Sequence, residues 1–297
     1  MDRYTGKNLV FVVGCPRSGT SWLQRLLATH PKIRSGEESH FFSLYIGPQL
    51  RAWKSQRANL SDRGVGHAVG PPAYFRDEEF LAILRRYLLD LLKPMVDQLS
   101  SDELFIEKTP SHGLYIPEIK QFLPDTRFIH ILRDPRDVVA SLLGASRTWG
   151  ASWAPDRPSV AAAMWVQHIQ AIHEASKRLS SNDFHELTYE KLWQSSKETL
   201  KELARFLNLI WSDDDIKKAI EINQAEAMKF GGTSIPVYGE VAVRMGAVAK
   251  LPQGFIRKAR PNVWQSDLSL RDKFQVWRVV HRTMEKAGYS WRLREWL

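Results

Sequence analysis

Cysteine is nearly absent. Cys15 is the single one among 297 residues, so no intrachain disulfide can form and a reducing compartment is favoured. Long apolar runs are missing as well. The stretch Leu9–Val13 meets Gly14 at once, too short for a signal-peptide core or a membrane span, and nothing elsewhere approaches the ~18 apolar residues of a transmembrane helix. The expectation is a cytoplasmic protein without a membrane span. There is no internal repeat, no low-complexity tract, and no Lys/Arg-dense stripe or tail. The net charge of +9 is instead scattered along the chain, which argues against nucleic acid and for an anionic nucleotide ligand. No set of His, Cys and carboxylate residues shows metal-ligand spacing, so no metal is expected.

What is present is enough apolar residue, 43%, to bury a full core in one domain spanning residues 1–297. Strand-like runs at Leu9–Val13, Leu104–Glu107, Arg127–Leu132 and Phe184–Thr188 alternate with helical periodicity. That alternation predicts an α/β fold, a mostly parallel central sheet flanked by helices. Phe80, Leu81, Leu84, Leu88 and Leu91 recur at helical spacing, as do Met164, Trp165, His168, Ile169 and Ile172. A third stripe, Leu270, Phe274, Trp277, His281 and Met284, predicts a C-terminal helix packed through those residues. Three stretches break the pattern and read as substrate-side loops: 47–74, 146–159 and 231–263.

The strongest local signal is Gly14-Cys15-Pro16-Arg17-Ser18-Gly19-Thr20-Ser21-Trp22, which follows a buried strand and opens a helix. Backbone N–H groups at such a helix start converge where the dipole favours negative charge, so the turn is P-loop-like and suited to phosphate. The gap between Gly14 and Gly19 is that of a nucleoside-triphosphate P-loop, but Thr20 replaces the lysine that would reach the β/γ-phosphates. A P-loop kinase or NTPase is thereby disfavoured. The cation sits inside the turn, at Arg17.

Pro16-Arg17-Ser18-Gly19-Thr20-Ser21-Trp22 resembles the 5′-phosphosulfate loop of sulfotransferases that use 3′-phosphoadenosine 5′-phosphosulfate (PAPS). The resemblance implies that Arg17, Ser18, Gly19, Thr20 and Ser21 hold the 5′-phosphosulfate and that Trp22 lies by the adenine. A second segment, Arg133-Asp134-Pro135-Arg136-Asp137 followed by Ser141, is similar to the family's 3′-phosphate motif, which assigns Arg133 and Ser141. Tyr189 resembles the tyrosine near the adenine. Phe255-Ile256-Arg257-Lys258-Ala259 is similar to the C-terminal loop over the 3′-phosphate, implicating Arg257 and Lys258; Ala259 replaces the usual glycine, and alanine disfavours positive φ.

Sulfuryl transfer needs a base for the acceptor proton and positive charge for the leaving phosphate oxygen. Glu107-Lys108-Thr109-Pro110 looks like the segment of Golgi carbohydrate sulfotransferases whose lysine serves the leaving group, so Lys108 and Arg17 take that role. Glu38-Ser39-His40-Phe41-Phe42 resembles the catalytic segment of heparan-type enzymes, and Gly36-Glu37-Glu38 is similar to the tyrosylprotein branch. Both imply Glu38 as base. Pro110 stands where small-molecule enzymes carry their histidine, and His112 is the second candidate. The resemblance implies PAPS as donor, 3′,5′-ADP (PAP) as product, and a hydroxyl or amine acceptor: carbohydrate, lipid-linked or peptidyl before a small phenol or alcohol. The rival class is a non-catalytic adenine-nucleotide-binding protein, which would need neither Glu38 nor Lys108. Oligomeric state stays open.

Overall fold

The computed structural model describes residues 4–62, 70–224, 235–236, 248–249, 255, 258–290, 292 and 296. Five strands form one parallel sheet: β1 (Leu9–Val13), β2 (Ile33–Ser35), β3 (Leu104–Glu107), β4 (Arg127–Leu132) and β5 (Phe184–Thr188), in the spatial order β2-β3-β1-β4-β5. The four strands read from the sequence have those bounds. The three-residue β2 is too short to show a period of two and was not foreseen. Around the sheet lie helices α1 (Thr20–Ala28), α2 (Gly47–Asp62), α3 (Asp77–Val96), α4 (Ile116–Phe122), α5 (Pro135–Ser146) and α6 (Pro158–Ser176). They are followed by α7 (Tyr189–Gln194), α8 (Ser196–Leu207), α9 (Asp213–Ile222), α10 (Trp264–Asp267) and α11 (Leu270–Lys286).

β1 is a run of Leu, Val and Phe with every residue buried, as a central strand of a parallel sheet must be when helices cover both faces. Each such side chain stabilises the fold by about 1.5–3 kcal/mol on burial. Alternation sends Leu9, Phe11 and Val13 to one face, where they pack with Phe105, Phe128 and the leucines of α3. Val10 and Val12 go to the other, against Leu23, Leu26 and Leu27 of α1 and Leu200 and Leu203 of α8. A third cluster, around Trp165, Leu142, Val276 and Val280, joins α5, α6 and α11.

The topology places the ligand crevice. From β1 the chain turns toward β2, and from β4 it turns toward β5, although β1 and β4 are adjacent. Connections that part between neighbouring strands leave a cleft beyond their carboxyl ends. The turn at 14–19 and the Arg133-Asp134 pair are the two walls of that cleft.

Two sequence readings need correction. Residues 47–62, assigned above to a loop, form α2; Pro48 suits a first helical turn, and Leu50 and Trp53, spaced by three, are both buried. In α11 the buried face is Lys273, Val276, Val280, Thr283 and Met284, whereas Leu270 and Phe274 are 62% and 49% exposed. The stripe was drawn one residue off because Lys273, whose stem packs while its ammonium lies 5.2 Å from the Trp264 ring, reads as polar. The 146–159 stretch is largely irregular, with turns between α5 and α6, and most of 231–263 lies outside the described residues. No helix among the described residues is long and apolar enough to cross a membrane.

Candidate functional site

A cavity of about 520 Å³ opens at the cleft. Its floor is the turn after β1. Gly14 has no room for a side chain, since a Cβ would stand 2.7 Å from the Ile131 carbonyl oxygen. Gly19 caps α1 at φ +100°, and a Cβ there would meet the Tyr189 ring at 2.5 Å. Both demands are for glycine alone. Arg17 also takes a positive φ, 75°. The first turn of α1 carries no acidic residue, so its dipole faces the cavity unopposed. Gly19, Thr20, Ser21 and Trp22 line the cavity, while Ser18 lies fully buried behind them, its hydroxyl without a hydrogen-bond partner among the described residues.

Arg17 reaches across the cleft. Its Nε donates to Ser141 Oγ at 3.1 Å and an Nη to the Phe255 carbonyl at 2.5 Å, with the guanidinium over the rings of Trp149 and Phe255. Arg133 donates to the carbonyls of Arg17 and Arg260 at 3.2 and 3.3 Å and lies 3.9 Å from the Tyr189 ring centre. Its Nε is buried with no partner among the described residues. The Trp165 indole donates to the Arg133 carbonyl at 3.0 Å, fixing the strand end against α6. Tyr189, at the start of α7, also packs against Trp22, whose indole donates to the Asn223 carbonyl at 3.0 Å.

The opposite wall carries Glu38 and His40. Lys108 Nζ, buried at the end of β3, donates to Glu38 Oε1, and His40 Nε2 lies 3.4 Å from Glu38 Oε2. Burial alone would raise the Glu38 pKa, but the bonds from His40 and Lys108 outweigh it and hold the carboxyl below its ordinary value. The hydrogen bond to Glu38 raises the His40 pKa in turn. Glu37 is exposed and is not part of the cavity lining, although its charge acts on Arg25, which is.

The segment bearing Glu38 is anchored by a residue that sequence reading passed over. Glu107 is fully buried and accepts from Ser39 N–H at 3.2 Å, Ser39 Oγ at 2.8 Å and Thr109 Oγ1 at 2.6 Å. Its other oxygen meets His112 Nδ1 at 2.8 Å. Burial would lift its pKa, but His112 and the two hydroxyls bring it down to about 2. The structure sets His112, the second candidate base, apart from the cavity. The ring is 0% exposed, is not part of the cavity lining, and spends Nδ1 on Glu107 and Nε2 on the Phe42 N–H at 3.2 Å.

The C-terminal loop closes the remaining side. Asp137 accepts the N–H groups of Asn262 and Trp264 at 2.8 and 3.0 Å, tying that loop to the start of α5. Ala259 adopts φ +44°, so the backbone keeps a glycine-like shape despite the methyl group. Lys258 lines the cavity and pairs with Asp267 at 2.5 Å. Arg257 lies outside the described residues. Phe255 of the C-terminal loop, Trp149, Trp153 and Arg25 of α1 also line the cavity; the last three belong to no motif, and only their convergence in space marks them.

Away from the cavity, the fold brings together His130, His173 and Glu186, residues with no metal-ligand spacing along the chain.

Over residues 9–213 the chain matches the profile of the Sulfotransferase family. It is 25% identical over 212 residues to a protein-tyrosine sulfotransferase of Drosophila melanogaster, covering 69% of this chain and 39% of that protein. It is likewise 25% identical over 229 residues to an uncharacterized protein of Aquifex aeolicus, covering 71% of this chain and 26% of that protein. The chain thus spans well under half the length of these two curated relatives. Among solved structures, the sulfotransferase domain of the Synechococcus olefin synthase superposes with TM-score 0.55 at 17% identity, covering 98% of both chains. A mouse sulfotransferase complexed with PAP gives 0.59 at 14% identity, covering 99% of this chain and 90% of that one. These two likenesses speak to the fold.

Proposed function

The chain belongs to the sulfotransferase family, and from that premise we propose that it transfers a sulfuryl group from PAPS to a hydroxyl or amine acceptor. The observation that carries the proposal is one cavity with a phosphate-type turn and two arginines at one end and Glu38 at the other, where Lys108, buried outside the lining, donates to Glu38. The fit to a bis-phosphorylated nucleotide is physical. Ser18 Oγ and Arg133 Nε are buried donors with no protein partner among the described residues, and such groups cost free energy until a ligand accepts from them. Gly14 and Gly19 leave the backbone bare where a phosphosulfate would approach.

In this reading PAPS supplies the sulfuryl group when bound. The N–H groups of 18–21 and Arg17 hold the 5′ end, Arg133 and Ser141 the 3′-phosphate, and Trp22 and Tyr189 the adenine; Lys258 and Arg257 belong to the covering loop. Glu38 removes the acceptor proton as the new S–O bond forms. Lys108 and Arg17 neutralise the phosphate oxygen freed as the old S–O bond breaks. Peptidyl hydroxyls gain support among acceptors from the curated relatives named protein-tyrosine sulfotransferases, ahead of carbohydrate and lipid-linked hydroxyls.

Thermal melts with 3′,5′-ADP and ATP, followed by turnover on tyrosyl-peptide, sugar and phenol acceptors, test this. At ~100 Kd, 3′,5′-ADP should add roughly 2.7 kcal/mol of stability, with ATP adding far less. Equal shifts would return the chain to the P-loop kinases. Selective 3′,5′-ADP binding without turnover on any acceptor would favour a nucleotide-binding protein.

A further inference from the structure

Beneath α6, apart from the cavity, lies a cluster that the proposed chemistry does not use. His130 and Glu186 occupy directly paired positions on β4 and β5, so their side chains leave the sheet on the same face. That face is covered by α6, which contributes His173. Glu186 Oε2 lies 2.7 Å from His130 Nδ1 and 2.8 Å from His173 Nε2. The two rings stand 5.9 Å apart and nearly perpendicular, at 79°. All three donor atoms fall within 4.8 Å of one another.

We propose that His130, His173 and Glu186 form a structural site for a divalent transition-metal ion of the Zn²⁺ type, which latches α6 to β4 and β5. Two imidazoles and one carboxylate are a donor set for Zn²⁺ and its first-row neighbours; Mg²⁺ and Ca²⁺ prefer all-oxygen sites. Metal–nitrogen and metal–oxygen bonds of about 2.0–2.2 Å put tetrahedral donors roughly 3.4 Å apart. Reaching that spacing needs Glu186 to draw back by less than about 1 Å, and its side chain is 35% exposed and able to do so. His173 is 30% exposed, which gives the ion an entry path and leaves the fourth position to water. His130, fully buried, anchors the site to the sheet. The consequence is positional: His130 on β4 stands three residues before Arg133, which directly follows the strand's end, and α6 carries the Trp165 that grips the Arg133 carbonyl.

The test uses the untagged full chain, stripped with chelator, desalted and titrated with Zn²⁺ against a chromophoric chelator. One equivalent should bind and raise the melting temperature, while Mg²⁺ at equal concentration should not. His173→Ala and Glu186→Gln should each weaken binding by at least the ~10–100-fold that loss of an outer-sphere partner costs. Both positions are partly exposed, so either variant serves if the other folds poorly. The proposal is overturned if Zn²⁺ fails to bind stoichiometrically, or binds both variants as tightly as the parent chain. The cluster would then be a hydrogen-bonded His–Glu–His bridge. Neither readout depends on sulfuryl transfer, so failure here leaves the proposed activity untouched.

Discussion

The two ends of the cavity hold their cations differently. At the β1–β4 end, Arg17 rests on a hydroxyl, a carbonyl oxygen and two ring faces, and Arg133 on two carbonyls and the Tyr189 ring, with the Asp137 carboxylate 3.8 Å away. At the β3 end, Lys108 is already engaged with the carboxylate of Glu38. Carbonyls and rings surrender a guanidinium to a phosphate far more readily than a carboxylate surrenders an ammonium, because a charged acceptor roughly doubles the bond. One end therefore stands ready for an anion. The other is a closed pair that a ligand must split, and splitting it frees a carboxylate and an ammonium together, the two groups that sulfuryl transfer requires.

The sharpest way to break this contrast is Glu38→Gln, which keeps the size and most of the hydrogen bonding but removes the proposed base. Turnover should fall by ~10²–10⁴ with 3′,5′-ADP affinity nearly unchanged; a parallel loss of affinity would erase the distinction between the ends. Since the Glu38 carboxyl is held below its ordinary value, it is ionised at neutral pH. The acid limb of kcat/KM should accordingly lie below the usual carboxylate range and vanish in the variant.

Next in size is Glu107→Gln, which removes the buried charge and keeps only one of the two oxygens that Ser39, Thr109 and His112 share, setting an amide NH2 against the other partners. Removing one partner of a buried pair costs about 3–5 kcal/mol, measurable by denaturant titration at pH 7. The folded pKa near 2 lies under the ordinary 4.5. A depressed carboxylate stabilises the fold above the ordinary value, and that contribution drains away as pH falls toward the folded one. The parent chain should therefore lose stability between about pH 4.5 and 2, and the variant should show less loss in that window.

Arg133→Ala probes the other end. It should weaken 3′,5′-ADP binding by about 1.5–3 kcal/mol, read by calorimetry, and should also lower the melting temperature of the free protein, since the buried Asp137 loses its cation. The smallest effect belongs to Ala259→Gly. A left-handed conformation costs a non-glycine residue roughly 1–2 kcal/mol, of which glycine's greater freedom in the unfolded chain takes back about 0.4–1 kcal/mol. A net gain of about 0–1.6 kcal/mol is expected by thermal melt, and a clear loss would show that the methyl group packs usefully.

The same contrast explains what could be read from the sequence. The arginine end is built from contiguous segments, Gly14–Trp22 and Arg133–Ser141, whose order along the chain dictates their geometry, so residue types alone disclosed it. The long strands announced themselves through unbroken apolar runs. The Glu38 end depends on Glu107, a carboxylate inside a strand, whose burial is visible only once Ser39 and His112 are seen around it. Trp149 meets Arg17, and Trp153 meets Trp149, through the fold, and neither carries a local signature. Proximity in sequence to Lys108 likewise said nothing of the 3₁₀ turn at 110–115 that directs the His112 ring into the core. The His130–His173–Glu186 cluster was hidden for the same reason, its members drawn from two strands and a helix.

The strand order carries a consequence for synthesis. β1 lies between β3 and β4, yet the ribosome makes it well before either. At ~5–20 residues per second, the five apolar residues Leu9–Val13 wait about 5–20 s for Leu104–Glu107 to be translated, and longer for Arg127–Leu132. During that interval both edges of the strand are open to pairing with other nascent chains. Gly14 and Pro16, followed by Arg17, close the run on its downstream side and act as gatekeepers against such pairing. The residues that shape the anion turn in the finished protein thus also shield its most aggregation-prone segment while the chain is still being made.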